Sequence, residues 1–169
     1  GKLAVLDNWG LSLRDIDVAQ GQHTVLGYGE FNDARPQKLV LVDDLAIVGT
    51  RSHGLFTVRL PEDEGPEPLG TLDLPDLLTH FDIESDHLFS TAGDPGLLVI
   101  DISDPTAPHL VATMPELHNT SDVAVQAGLA LVAARSAGVF VLDITTPDEP
   151  EVITTIATDS DAVSVAWCG

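Results

Sequence analysis

Gly96-Leu-Leu-Val-Ile-Asp-Ile-Ser-Asp-Pro-Thr-Ala-Pro108 returns 42 residues later as Gly138-Val-Phe-Val-Leu-Asp-Ile-Thr-Thr-Pro-Asp-Glu-Pro150. Both stretches run glycine, apolar strand, aspartate, then a proline-bounded link. The frame extends backward to Gly54-Leu-Phe-Thr-Val-Arg-Leu60 and Gly10-Leu-Ser-Leu-Arg-Asp-Ile16, so the four glycines stand 44, 42 and 42 residues apart. A fixed period outranks every other fold signal, because each unit must then bury its apolar faces on its neighbours.

Another strand-like run precedes each glycine: Leu3-Ala-Val-Leu-Asp7, Leu45-Ala-Ile-Val-Gly49, Leu88-Phe-Ser-Thr-Ala92 and Leu129-Ala-Leu-Val-Ala133. The two runs form a hairpin through a short, glycine-bearing reversal. Proline has no N–H to give a ladder, so Ser103 to Pro108 and Thr145 to Pro150 lie outside the sheet. Third runs rich in β-branched residues follow, such as His109-Leu-Val-Ala-Thr113 and Glu151-Val-Ile-Thr-Thr-Ile156, and a fourth, such as Asp122-Val-Ala-Val-Gln126, leads into the next unit. Four short strands per unit, with no helix-period segment between units, predict an all-β propeller of four-stranded antiparallel blades. The repeats fall at about 1–44, 45–87, 88–128 and 129–169 of a single domain, 1–169.

The residues 96–108 and 138–150 closely resemble the LVIVD-repeat family. The second unit departs from the pattern with Arg59 in place of the aspartate; the first keeps Asp15 but lacks the prolines. The resemblance implies a β-propeller, often exported or on the cell surface, and supplies no shared catalytic residues.

Lettering the strands a to d from inner to outer, the chain opens at b of its first unit and closes on a further a, Ala162-Val-Ser-Val-Ala166. That phase suits a ring whose last strand pairs beside its first, or an array that forms part of a larger propeller. The opening run Leu3 to Leu6 follows no basic region, apolar stretch and cleavage site, so any export signal is expected to be removed or absent.

Asp and Glu number 27 against 7 Lys and Arg, a formal charge of −20. A field of that sign repels a phosphate backbone, which excludes nucleic acid as a partner. The acidic residues recur in every repeat and therefore coat a folded surface, as in a salt-adapted (halophilic) or an acidic extracellular protein. No apolar run approaches the roughly 20 residues of a membrane span. Cys168 stands alone, which rules out an internal disulfide or a cysteine zinc site. No metal set and no cofactor is expected.

Two groups of residues are candidates for function. The 42-residue offset puts Lys38, His80, Asp122 and Ser164 at one position near the start of each inner strand. In a closed ring they form either a polar pocket for a small ligand or a self-satisfied ring of hydrogen bonds. Trp9, Arg51, His53 and Arg135 sit in the b–c turns, with Arg35 and His118 in the d–a links. Aromatic and arginine side chains favour binding centres, so this loop end is a candidate face for a protein or glycan. The acidic stretches Asp82 to Asp86 and Asp159 to Asp161 read as solvated turns, since neither has the ligand spacing of a calcium loop. No serine sits in a nucleophile elbow and no glycine-rich phosphate loop is present. A non-enzymatic binding or scaffold propeller, engaging protein or glycan, is the leading reading. A ligand binder or enzyme using the channel residues is the second, and self-assembly through open blade edges the third.

Overall fold

The computed structural model describes residues 2–8, 10–17, 19–20, 22–30, 35–51, 53–62, 64–74, 78, 80–93 and 95–168. Every regular element among them is a strand, and the strands form antiparallel sheets of the predicted blade kind. The first sheet holds β1 (Lys2–Leu6), β2 (Gly10–Asp17) and β3 (Gln22–Glu30). The second runs β4 (Pro36–Val42), β5 (Leu45–Thr50), β6 (Leu55–Arg59) and β7 (Glu67–Leu72). In the third, β8 (His80–Glu84), β9 (His87–Thr91), β10 (Leu97–Asp101) and β11 (His109–Met114) follow the same order. The fourth comprises β12 (Asp122–Gln126), β13 (Leu129–Ala133), β14 (Val139–Asp143) and β15 (Glu151–Ile156). The chain divides into two compact units, Gly1–Pro75 with the first two sheets and Asp76–Gly169 with the last two.

Local chemistry repeats along with the strands. The inner hairpins turn at Asp43, Ser85 and Ala127, 42 residues apart, with φ of 53°, 55° and 54°. The residue leaving each c strand then donates its N–H to that turn: Leu60 to Asp44 (2.7 Å), Ile102 to Asp86 (2.9 Å) and Ile144 to Gly128 (2.9 Å). At the other end, Gly54, Gly96 and Gly138 adopt φ of 70°, 80° and 88°. Their carbonyls accept the N–H groups of Thr50, Ala92 and Ala134 at 2.8, 3.0 and 2.9 Å, closing the b–c turn. A side chain there would strike the end of the outer strand, since a Cβ on Gly96 would lie 2.0 Å from the Met114 carbonyl oxygen. This is why glycine opens the repeat.

The pairing of the c and d strands shifts register at one equivalent point in all four sheets: Leu13/Arg14, Thr57/Val58, Val99/Ile100 and Val141/Leu142. The extra residue sharpens the twist of the outer strand. In the first sheet, where no proline link follows the c strand, β2 and β3 continue to 8 and 9 residues, against 5 and 6 for β10 and β11.

Strand alternation sends b and c side chains to two faces, and each unit packs one sheet on the next through them. In the first unit Leu11, with Ala4 and Leu6, meets Ala46, Val48 and Val58 of the second sheet. In the second unit Phe89, Leu97, Val99 and Met114 of the third sheet meet Ala130, Val132, Leu142 and Ile144 of the fourth. Phe89 is 1% exposed and Leu97 fully buried, each contributing about 1.5–3 kcal/mol by burial.

The expected last inner strand is not formed. Residues 163–168 belong to no strand, and Ala162 makes a single bridge to Arg135. The inner strands β4, β8 and β12 are ladders on the hairpin strand that follows each of them, and no described residue supplies that ladder to 163–168.

Candidate functional site

The b–c turns and the d–a links meet at one end of each unit. In the first unit the Arg51 N–H donates to the Arg35 carbonyl at 3.0 Å, which draws two exposed arginines together. Exposed His53 joins them, its N–H bonded to Thr50 Oγ1 at 3.2 Å while that hydroxyl donates to the Gly54 carbonyl at 3.0 Å. The turn is thus fixed by a buried threonine, and the side chains of Arg51 and His53 are exposed on it. In the second unit the Thr120 hydroxyl donates to the Gly96 carbonyl at 3.1 Å, tying the d–a link that carries exposed His118 to the b–c turn. Arg135, at φ 45°, exchanges two 3.0 Å backbone bonds with Ala162. Trp9 lies outside the described residues.

The inner-strand quartet behaves differently. Lys38 is half-buried on β4, opposite Gly49. His80 opens β8 with its side chain exposed, and its carbonyl accepts the hydroxyls of Ser90 (3.0 Å) and Thr91 (3.2 Å). Asp122 and Ser164 are brought together: the Ser164 hydroxyl donates to Asp122 Oδ2 at 2.5 Å, and the Val165 N–H to the same oxygen at 3.1 Å. Asp122 Oδ1 accepts the Val123 N–H at 3.0 Å, so both carboxylate oxygens are engaged by the chain itself.

Asp82, read from sequence as part of a solvated turn, repeats that arrangement. Its Oδ1 accepts the Ile83 N–H at 2.9 Å, and its Oδ2 reaches the Val125 N–H of the next inner strand at 2.9 Å. Glu84 grips the Gly128 N–H with both oxygens, at 3.1 and 2.9 Å. Both acids are half-buried struts between successive inner strands. The strand they serve lies more than 40 residues on, so the local acidic pattern carried no sign of it.

The aspartate that closes each c strand also serves the chain. Asp143 Oδ1 accepts the Thr145 hydroxyl (2.6 Å) and N–H (2.9 Å), and Asp101 Oδ1 accepts the Ser103 N–H (2.7 Å). Asp104 does the same for Thr106, at 2.7 and 2.9 Å. Hydrogen bonds from these hydroxyls, and then from the N–H groups, hold all three carboxyls below their ordinary range. In the second repeat Arg59 replaces the aspartate and pairs instead with Glu67 at 3.1 Å.

Two repeat-related grooves were not visible in the sequence. In the first unit a cavity of about 420 Å³ opens between the sheets, floored by Ala4, Leu13, Leu41 and Leu60 and rimmed by Asp44 and Glu62. In the second unit the corresponding cavity, about 300 Å³, has Phe89, Ile144 and Pro147 below and Glu84 and His87 at its edge. Both lie at the a–b turn end, opposite the loop end with the arginines. Among the described residues no cluster of His, Cys, Asp and Glu is arranged to hold a metal ion, and no helix is long and apolar enough to cross a membrane.

Residues 89–114 and 118–158 match the LVIVD repeat, a span that holds β10 and β11 of the third sheet, most of β9, and all four strands of the fourth. No curated protein matches the chain as a relative. Among solved structures, the computationally designed Ika8 protein is similar at a TM-score of 0.72 and 14% identity, over 98% of this chain and 52% of that one. The designed Ika4 protein matches at 0.61 and 14%, over 80% of each chain. PorZ of Porphyromonas gingivalis, described as an essential bacterial surface component of the type-IX secretion system, matches at 0.57 and 16%, over 94% of this chain and 21% of its own. This chain thus spans about half of Ika8 and a fifth of PorZ.

Proposed function

We propose that this propeller, with LVIVD repeats over residues 89–158, is a non-enzymatic binding or scaffold module that engages a protein or glycan through its loop end. The observation that carries the reading is the backbone bond that joins Arg35 of the d–a link to Arg51, on a turn that also carries His53 and is held by Thr50, in a chain of net charge −20. Exposed guanidinium groups offer paired donors to carboxylate or sulfate groups, and the surrounding acidic surface discourages other anions. The inner-strand carboxylates spend their acceptor capacity on neighbouring strands, which weighs against a catalytic channel. An exported or surface location is part of the proposal, and the likeness of fold to PorZ supports it.

The test is binding to an immobilised panel of neutral, carboxylated and sulfated glycans and acidic peptides, comparing wild type with an Arg35→Ala, Arg51→Ala, His53→Ala variant. The variant is expected to lose binding at least about tenfold, the scale of one lost charge-assisted contact or more. Undiminished binding by the folded variant would place the binding face elsewhere.

A further inference from the structure

The groove of the second unit holds a carboxylate that the chain leaves without a full counter-charge. It lies between the third and fourth sheets, both within one compact unit, and measures about 300 Å³. Phe89 and Ile144, 1% and 3% exposed, floor it, and Thr145 and Pro147 of the c–d link line it beside Glu84 and His87. Glu84 is half-buried and fixed in place, since both its oxygens accept the Gly128 N–H, at 3.1 and 2.9 Å. A carboxylate offers about four acceptor sites, so one N–H leaves most of them open. Among the described residues no lysine or arginine lines this groove. His87 stands between two carboxylates in the strand pairing, Glu84 on β8 and Asp101 on β10, and one imidazole cannot neutralise both. Glu84 has therefore given up part of its hydration with no cation opposite it.

Two comparisons within the chain bear on what would fit there. In the first unit the corresponding cavity is rimmed by Asp44 and Glu62, and the chain supplies a cation of its own, because Lys2 lines it. Lys2 opens its b strand opposite Asp15 as His87 opens its own opposite Asp101, so the two hold one repeat position. The second comparison concerns the a–b turn, whose residue is Asp44 in the second sheet, Asp86 in the third and Gly128 in the fourth. A Cβ on Gly128 would lie 2.8 Å from Thr145 Cγ2 on the wall of the groove, so the glycine keeps the space open.

We propose that this groove receives the side chain of an arginine or lysine presented by a partner polypeptide, its stem over Phe89, Ile144 and Pro147 and its cationic head on Glu84. Long cationic side chains suit such a place, because their methylene stems cover apolar surface while the head keeps to a polar rim. The volume selects the source of the cation. Cavities that hold a free small molecule run from about 300 to 1,000 Å³, so this one stands at the bottom of that range. A single carboxylate also gives little affinity for a lone cation. A side chain carried by a larger contact needs neither a deep cavity nor a second acid. The net charge of −20 steers a basic partner toward the chain. The groove lies at the a–b turn end, away from the loop end with the arginines, so the inference stands whether or not that end binds a glycan.

The test titrates the isotope-labelled protein at about pH 8, where an ordinary histidine is neutral, with capped heptapeptides randomised about a central arginine. A second pool carries citrulline there, which keeps the shape and loses the charge. The Gly128 amide, bonded to Glu84, is the reporter in amide NMR spectra. The arginine pool is expected to shift it at concentrations at least about tenfold lower than the citrulline pool, the scale of one charge-assisted contact. Glu84→Gln keeps an acceptor for the Gly128 N–H and should abolish the difference between the pools, the dispersed spectrum showing an intact fold. His87→Lys leaves Glu84 untouched and installs the residue that the first unit has at that position, so it should weaken the arginine pool by internal competition. Equal potency of the two pools, no shift at Gly128, or an undiminished preference for arginine in both folded variants overturns the proposal. Butylguanidinium alone, acting at the same concentration as the arginine pool, would make the site one for a free organic cation and overturn the polypeptide partner.

Discussion

Replacing Gly96 with alanine should damage the protein far more than the same change at Gly93, although the two glycines bound one turn. Both have left-handed φ, 80° and 68°, so both substitutions carry the backbone cost of about 1–2 kcal/mol. At Gly93 a Cβ meets nothing within 4 Å. At Gly96 it lies 2.0 Å from the Met114 carbonyl oxygen and 2.9 Å from that of Leu117, both backbone atoms with no rotamer to yield. Ordinary contact requires more than 1 Å of retreat by the end of β11, which undoes the Leu97–Met114 pairing and lifts Met114 from the core. Losing one or two ladder bonds at about 1 kcal/mol each, plus part of the Met114 burial, brings the total to about 4 kcal/mol. Urea unfolding followed by circular dichroism should give Gly93→Ala a loss of about 1–2 kcal/mol and Gly96→Ala at least twice that. Equal losses would refute the account of why glycine opens the repeat.

Two further perturbations bear on the carboxylates. Depressed folded-state carboxyl groups stabilise the protein above the ordinary carboxylate pKa of about 4, and this contribution fades as pH falls through the folded values. An Asp101→Asn, Asp104→Asn, Asp143→Asn variant should therefore show a flatter fall in urea midpoint between about pH 5 and 2 than wild type, and an unchanged slope would sink the assignment. Asp122→Ala removes the acceptor that holds Ser164 and Val165, and should raise hydrogen exchange at 163–168 at least tenfold while leaving β13 and β14 protected. Equal protection in both proteins would mean the strut is idle.

The blade and its turns were legible because they are written locally. Glycine at a left-handed, crowded position and aspartate two residues before a serine or threonine are requirements of one turn, so the 42-residue spacing exposes them. The first repeat lacks the prolines, and there the β2–β3 hairpin is longer than its counterparts. What stayed hidden depends on distant chain. Asp82 looks like any acid in an acidic loop until Val125 brings it an N–H from 43 residues away. Asp122 and Ser164 share one repeat position by spacing, but that they bond to each other could not be read from that equivalence. Residues 162–166 have the composition of a strand, yet a strand exists only with a partner, and composition names none. The two grooves are lined by different residues that come together from separate strands and turns, which no local pattern announces.

The register shift at one point in all four sheets bears on ancestry. The c-strand pairs beside it are all different as pairs, Leu-Arg, Thr-Val, Val-Ile and Val-Leu, with valine shared only by the last two at the first position. What recurs is a count, one supernumerary residue in the outer strand at a set distance from the hairpin, since such a kink asks nothing of any particular side chain. Copying by duplication preserves such a count however far the letters drift. Lineages descended from the same unit should accordingly betray themselves by where insertions and deletions are forbidden rather than by which residues they keep. A single-residue deletion in the outer strand should be purged more strictly than almost any substitution beside it, because it would turn every side chain beyond that point to the opposite face.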